Sequence, residues 1–274
     1  EIEEYVPAAF ELKAKTDKEE YIAGDTFKVN VDANYYFGAP VDGGTVEYTL
    51  VAQNYYFDKY QDEYFQFGKS WHDCFNDCYY GDKFLLRNKV DLDRQGHAAI
   101  TQAIDFAKFF PKPEERSSKI FVLYVTARNS AGQSVSTQKS FIVHAGEYYL
   151  GLRSDNSFVG KDQPVKMKIK SVDTTGKPLG LDNVTLTYSR VRYEYNKRRE
   201  VDGGYYYTWE RKLDEKKKIT LETDRDGNAE DEFVPPEKGE YEIAARGADK
   251  RGNVILSSYT VYVYGEGVAS IKPT

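Results

Sequence analysis

Cysteine is scarce: this 274-residue chain has two, Cys74 and Cys78. A structural zinc site needs four Cys or His ligands. His72 stands nearby, but His97 and His144 lie far along the chain, so no metal set is assigned. The pair is read as free thiols or a local disulfide, and a disulfide would fit an oxidising compartment. A catalytic cysteine needs a base at hand, and His72 alone is thin support for one. Basic residues are also short: 38 Lys and Arg face 44 Asp and Glu, a net charge of −6. Nucleic-acid binding requires a basic face, so nucleic acid is not expected as a partner. No apolar run approaches the roughly 20 residues that cross a bilayer, so no membrane span is expected. No targeting segment is visible, and the chain opens on Glu1 rather than Met. It is read as a mature or excised segment.

Aromatic residues are abundant, with 24 Tyr, 15 Phe and 2 Trp. Tyrosine suits strands, where its ring packs and its hydroxyl stays wet. Residues 26–33, 45–50, 165–169, 184–188, 240–244 and 259–264 alternate apolar and polar side chains. That is the period of a half-buried strand. Turn signals separate them: Gly24-Asp25, Asp42-Gly43-Gly44, Asp202-Gly203-Gly204 and Asp226-Gly227. The best helix candidate, residues 102–108, reads equally well as a strand. Many short strands with frequent turns predict antiparallel sandwiches.

The pattern also repeats. Tyr21-Ile22-Ala23-Gly24-Asp25 answers to Phe158-Val159-Gly160-Lys161-Asp162, and Gly38-Ala39-Pro40-Val41 to Gly176-Lys177-Pro178-Leu179. Val46 answers to Val184, and the loop Asp93-Arg94-Gln95-Gly96 to Asp224-Arg225-Asp226-Gly227. The offset is roughly 130–140 positions and the order is kept, which predicts two copies of one sandwich. The boundary is placed near Ala145-Gly146, giving domains 1–145 and 146–274. The Asp-rich loop reads as a tight turn. Calcium is the alternative, with Asp224, Asp226, Glu230 and Asp231 as its oxygens, although such a site needs six or more.

Several of these residues carry a resemblance. Glu4, Tyr5, Pro7 and Phe10 open the chain; Tyr21, Gly24 and Asp25 form a corner; Ala33, Tyr35, Phe37, Gly38, Pro40 and Val41 follow. In this order they resemble the alpha-2-macroglobulin family, and more closely its bacterial members. The turns Asp93–Gly96–Ala98 and Asp224–Gly227–Ala229 resemble that family's motif as well. The Pro7-Ala8-Ala9-Phe10 spacing departs slightly from the usual opening. The resemblance implies the third and fourth macroglobulin-like domains, with a fibronectin- or Ig-like sandwich fold, exported to the periplasm or cell surface. It implies a protease trap: a bait segment is cut, the body rearranges, and the protease is held, often through a Cys-Gly-Glu-Gln thioester. Neither Cys74 nor Cys78 is followed by Gly-Glu-Gln, and no bait-like stretch appears. The chain is therefore read as scaffold, with no cofactor. Its partners would be neighbouring macroglobulin-like domains, and proteases through the full-length parent.

Two aromatic segments exceed a minimal sandwich. One runs from Asn54 to Tyr80. The other, from Arg190 to Lys212, reads as a long hairpin with Tyr193, Tyr195, Tyr205, Tyr206, Tyr207 and Trp209 around the Asp202-Gly203-Gly204 turn. They are read as packing on a sandwich edge or a neighbouring domain. A protein-contact surface and a sugar platform are the alternatives. No catalytic set is found: the three histidines are scattered and no nucleophile motif appears. The chain is read as not an enzyme. A cell-surface adhesin or ligand-binding pair is the competing reading, and an accessory module of a carbohydrate-active enzyme is the third.

Overall fold

Alternating runs become strands wherever one face is buried. The computed structural model describes residues 10–69, 81–199 and 203–265. In chain order the strands are β1 (Phe10–Thr16), β2 (Glu20–Ile22), β3 (Thr26–Tyr35), β4 (Thr45–Asn54), β5 (Gln66–Phe67) and β6 (Lys83–Asp91). There follow β7 (His97–Ala103), β8 (Lys119–Arg128), β9 (Ser134–His144), β10 (Tyr148–Ser154), β11 (Phe158–Gly160) and β12 (Val165–Asp173). The last are β13 (Val184–Arg199), β14 (Tyr205–Leu221), β15 (Asn228–Phe233), β16 (Gly239–Ala248) and β17 (Val254–Tyr264). The described residues form two units, 10–56 with 81–146 and 57–69 with 147–265.

In the first unit, sheet β1-β3-β7 faces sheet β2-β9-β8-β4-β6. Alternation drives Phe27, Val29 and Val31 of β3 fully inward, against Leu50 of β4 and Leu123 and Val125 of β8. Phe27 and Tyr21 meet Phe141 at centroid distances of 4.9 and 5.1 Å. The ambiguous stretch 102–108 divides. β7 ends at Ala103, and the helix α1 (Phe106–Phe109) begins after Asp105, whose carboxylate accepts from Lys108 N at 3.0 Å. An Asp at that position satisfies an otherwise orphaned helix N–H, and Phe106 and Phe109 sink into the core.

The second unit repeats the order with one added edge strand: β5-β10-β12-β15 in one sheet, of which β10-β12-β15 answers to β1-β3-β7, and β11-β17-β16-β13-β14 in the other. Its core holds Leu150, Leu152, Met167, Ile169, Leu186, Tyr188 and Ile243. Even the irregularities recur. A β-bulge sits between Leu50 and Val51 in β4 and between Tyr188 and Ser189 in β13. Bridges join Asn34 to Pro40 and Val172 to Pro178. The two-copy, all-β sandwich reading is borne out. One pairing in each copy differs from the antiparallel expectation: β2 runs parallel to β9, and β11 parallel to β17. A parallel pair needs a long crossover. Here almost the whole domain lies between each short second strand and the last strand it meets.

Candidate functional site

β13 pairs with β16 only as far as Arg190, opposite Tyr241. Beyond that point β13 and β14 continue alone as a two-stranded ribbon, with Val191 opposite Leu213 and Arg199 opposite Tyr205. The expected hairpin is present. Period-two geometry sorts its side chains. Tyr193, Tyr195, Lys197 and Arg199 of β13 share one face with their partners Arg211, Trp209, Tyr207 and Tyr205 of β14. Five of the six aromatic residues singled out in the sequence therefore stand together. Tyr206 stands on the opposite face, with Arg198. Grouping it with the rest overlooked that consecutive strand residues point to opposite sides.

The aromatic face is wet. Tyr195 and Tyr207 are about 60 % exposed and Trp209 is half exposed. An isolated hairpin is marginal in water, and cross-strand pairs hold this one. Tyr195 packs on Trp209 and meets Tyr207 edge-on at 6.1 Å. Lys197 Nζ lies 3.9 Å from the centre of the Tyr205 ring, a cation–π contact. Arg211 pairs with Glu242 at 2.8 Å near the base. The opposite face is an ion-pair ladder. Lys212 bonds Glu210 and holds its carboxyl below the usual range, with Glu210 raising Lys212 in turn. Lys216 bridges Glu237 and Asp214 at 2.9 Å each and lowers both carboxyls. Exposed pairs add little stability, and Lys212–Glu210 and Lys216–Asp214 each join two residues of β14, so the register that gathers the aromatic side rests on the β13–β14 backbone pairing.

The other aromatic segment divides. Tyr55 meets His144 edge-on at 6.0 Å within the first unit. Residues 57–69 belong to the second unit, although they lie between two strands of the first sandwich. β5 adds to the outer edge of β10, Phe67 opposite Gly151. A Cβ on Gly151 would come within 2.7 Å of the Phe67 ring, so the glycine makes the seat. Phe57 stacks on Tyr149 at 4.3 Å. Tyr60 Oη donates to Gly176 O at 2.8 Å, and Lys59 Nζ donates to Thr175 O. Arg153 donates to Glu63 O at 2.9 Å. Trp71, Phe75, Tyr79 and Tyr80, like His72, Cys74 and Cys78, lie outside the described residues.

The remaining candidates do not converge. His97 on β7 bonds Asp32 at 2.6 Å on an exposed surface. His144 ends β9 in the other sheet, buried, 3.2 Å from Glu20. The Asp-rich loops behave as turns. Asp93 Oδ1 accepts from Gln95 N and His97 N, and Asp224 Oδ1 from Asp226 N and Asn228 N, at 2.8–2.9 Å. Asp231 is taken by Tyr188 Oη and Lys217 Nζ. Among the described residues no group of three or more His, Cys, Asp and Glu is placed to hold a metal. No helix among them is long and apolar enough to cross a membrane.

Comparison with known proteins gives two family matches. The model for macroglobulin domain MG3 matches residues 4–82, and that for bacterial macroglobulin domain 6 matches residues 151–264. The two models, one on each copy, bear out the resemblance to the bacterial family. An alpha-2-macroglobulin homolog of Nostoc sp. (strain PCC 7120) is 26 % identical over 272 residues, covering 96 % of this chain and 13 % of its own length. Native Escherichia coli alpha-2-macroglobulin aligns at a TM-score of 0.65 and 17 % identity, over 95 % of this chain and 16 % of that one. Salmonella alpha-2-macroglobulin reacted with methylamine aligns at 0.63 and 18 %, over 95 % and 17 %. At such identity the structural likeness bears on the fold. The chain spans less than a fifth of each of these relatives.

Proposed function

Because the chain belongs to the bacterial alpha-2-macroglobulin family, we propose that it is a scaffold segment of a protease-trapping inhibitor, two consecutive macroglobulin-like domains of a longer parent. One observation carries this reading: two copies of one strand order, matched over nearly the whole chain, account for only 13 % of the curated relative. The parts that would act on a protease, a bait segment and a Cys-Gly-Glu-Gln thioester, are not in this sequence. Its work would be geometric, holding those parts at fixed separations on rigid sandwiches. The partners are then neighbouring domains of the parent and, through the parent, proteases; the location is periplasmic or extracellular. A non-catalytic role is supported by His97 and His144 lying on different sheets.

The test uses the full-length parent with trypsin or elastase. A trap blocks digestion of a large substrate such as casein while a small chromogenic peptide is still cleaved. The 274-residue chain alone should leave the cleavage of both substrates unchanged. A parent that leaves casein digestion untouched, or a lone chain that inhibits, would sink the proposal. A second reading, a ligand-binding pair of Ig-like domains, is favoured by the wet aromatic face of the ribbon. It requires a saturable partner whose binding falls on Trp209→Ala.

A further inference from the structure

The two repeats differ most in one connection. In the first sandwich the chain leaves β4 and returns as β6, and between them it supplies residues 57–69 to the second unit. The equivalent strands of the second sandwich are β13 and β14, and their connection is the aromatic ribbon. The bulge at the same place in both strand pairs fixes that equivalence independently of sequence. The first connection is seated. Its strand adds to the outer edge of β10, Phe67 fills the space over Gly151, and Lys59 and Tyr60 donate to the turn carbonyls of Thr175 and Gly176. The second carries the same kinds of side chain, rings and a lysine, on a face that is about half exposed.

We propose that the ribbon is the second repeat's version of this device, seated through Tyr193, Tyr195, Tyr207 and Trp209 on the first-strand edge of the macroglobulin-like domain that follows Thr274 in the parent. The chemistry required of that partner is what β10 offers: unpaired strand N–H and C=O groups, a small residue under a ring, and turn carbonyls facing outward. The edge and the turn of the receiving half recur in the first repeat. Among the described residues β1, the counterpart of β10, has no neighbour on its outer edge. The turn equivalent to residues 173–176 closes with the same hydrogen bond, Gly38 N to Tyr35 O against Gly176 N to Asp173 O. It presents Tyr36 and Phe37 at 70 % and 81 % exposure. Each repeat thus offers a first-strand edge and an inserting element. The small residue is a feature of the second repeat's seat, since Lys13 of β1 stands at the register position of Gly151. The length of the relative leaves room for further domains.

The inference rests on the segment reading above. A parent sequence with no macroglobulin-like domain after Thr274 defeats that reading. The inference itself is tested where such a domain exists. A photo-crosslinking phenylalanine analogue is placed at Tyr195 or Tyr207 of the full-length parent, and the products are mapped by mass spectrometry. Crosslinks to peptides beyond Thr274 are expected. Crosslinks only within residues 1–274, between copies, to another protein, or none at all overturn the proposal. In the unsubstituted proteins, amides of residues 205–213 should exchange about tenfold or more slower in the parent than in the 274-residue chain; equal rates overturn it too.

Discussion

At the scale of the residue, the repeated glycines show how a turn motif becomes structure. Gly96 and Gly227 both take φ of +74°, and a Cβ on them would sit 2.3 Å from Ala33 O and 2.2 Å from Ser171 O. Gly252 also has positive φ (+82°), but nothing lies within 4 Å. Gly252→Ala therefore carries backbone strain alone, about 1 kcal/mol. Gly227→Ala adds a clash with main chain and should cost more than about 2 kcal/mol. Urea midpoints of the two variants measure the difference, and equal shifts would refute the close approach. Tyr148 gives a pH dependence. Burial, with Asp249 nearby, pushes its hydroxyl up from 10.0 to about 12. The folded state thus favours the protonated phenol, so its contribution is full below pH 10 and is lost as pH rises from 10 through 12. The contribution is on the order of 2 kcal/mol. Tyr148→Phe should flatten the fall in stability between pH 9 and 11.5 relative to the unsubstituted chain; parallel profiles would remove Tyr148 as a cause.

At the scale of the element, one strand does two jobs. The first half of β13 buries Val184, Leu186 and Tyr188, and beyond Val191 the strand leaves the sheet and presents its rings to water. Leu186→Ala should destabilise the second unit by about 2–5 kcal/mol. Trp209→Ala, on the ribbon, should change it by no more than about 0.5 kcal/mol. Circular dichroism during urea unfolding reads both. A large loss with Trp209→Ala would mean that the ribbon braces the sandwich, and the docking role would lose its ground.

At the scale of the molecule, two cores stand where one chain passes. The buried clusters of the two units share no residue, and residues 57–69 belong to the second although they precede half of the first. Leu123→Ala should accelerate amide exchange across β4, β8 and β9, and Leu150→Ala across β10, β12 and residues 57–69. Loss of protection in the wrong unit would contradict the assignment of that segment.

The sequence by itself determined six of the strands (β3, β4, β12, β13, β16 and β17), several turns, the duplication and the hairpin. These are local: period-two alternation, glycine where φ is positive, and a repeated order of motifs are properties of neighbouring residues. It did not disclose that β2 and β11 run parallel to the last strands, because that pairing joins residues more than a hundred apart. The division of the six ribbon aromatics was within reach of alternation, since Tyr205, Tyr206 and Tyr207 are consecutive and cannot share a face. The seat of Phe67 was not, because it depends on the missing side chain of Gly151, far along the chain. Only the tertiary structure decided which unit owns residues 57–69. An aromatic segment can bury its rings on whichever surface offers room, and composition carries no record of where that room is.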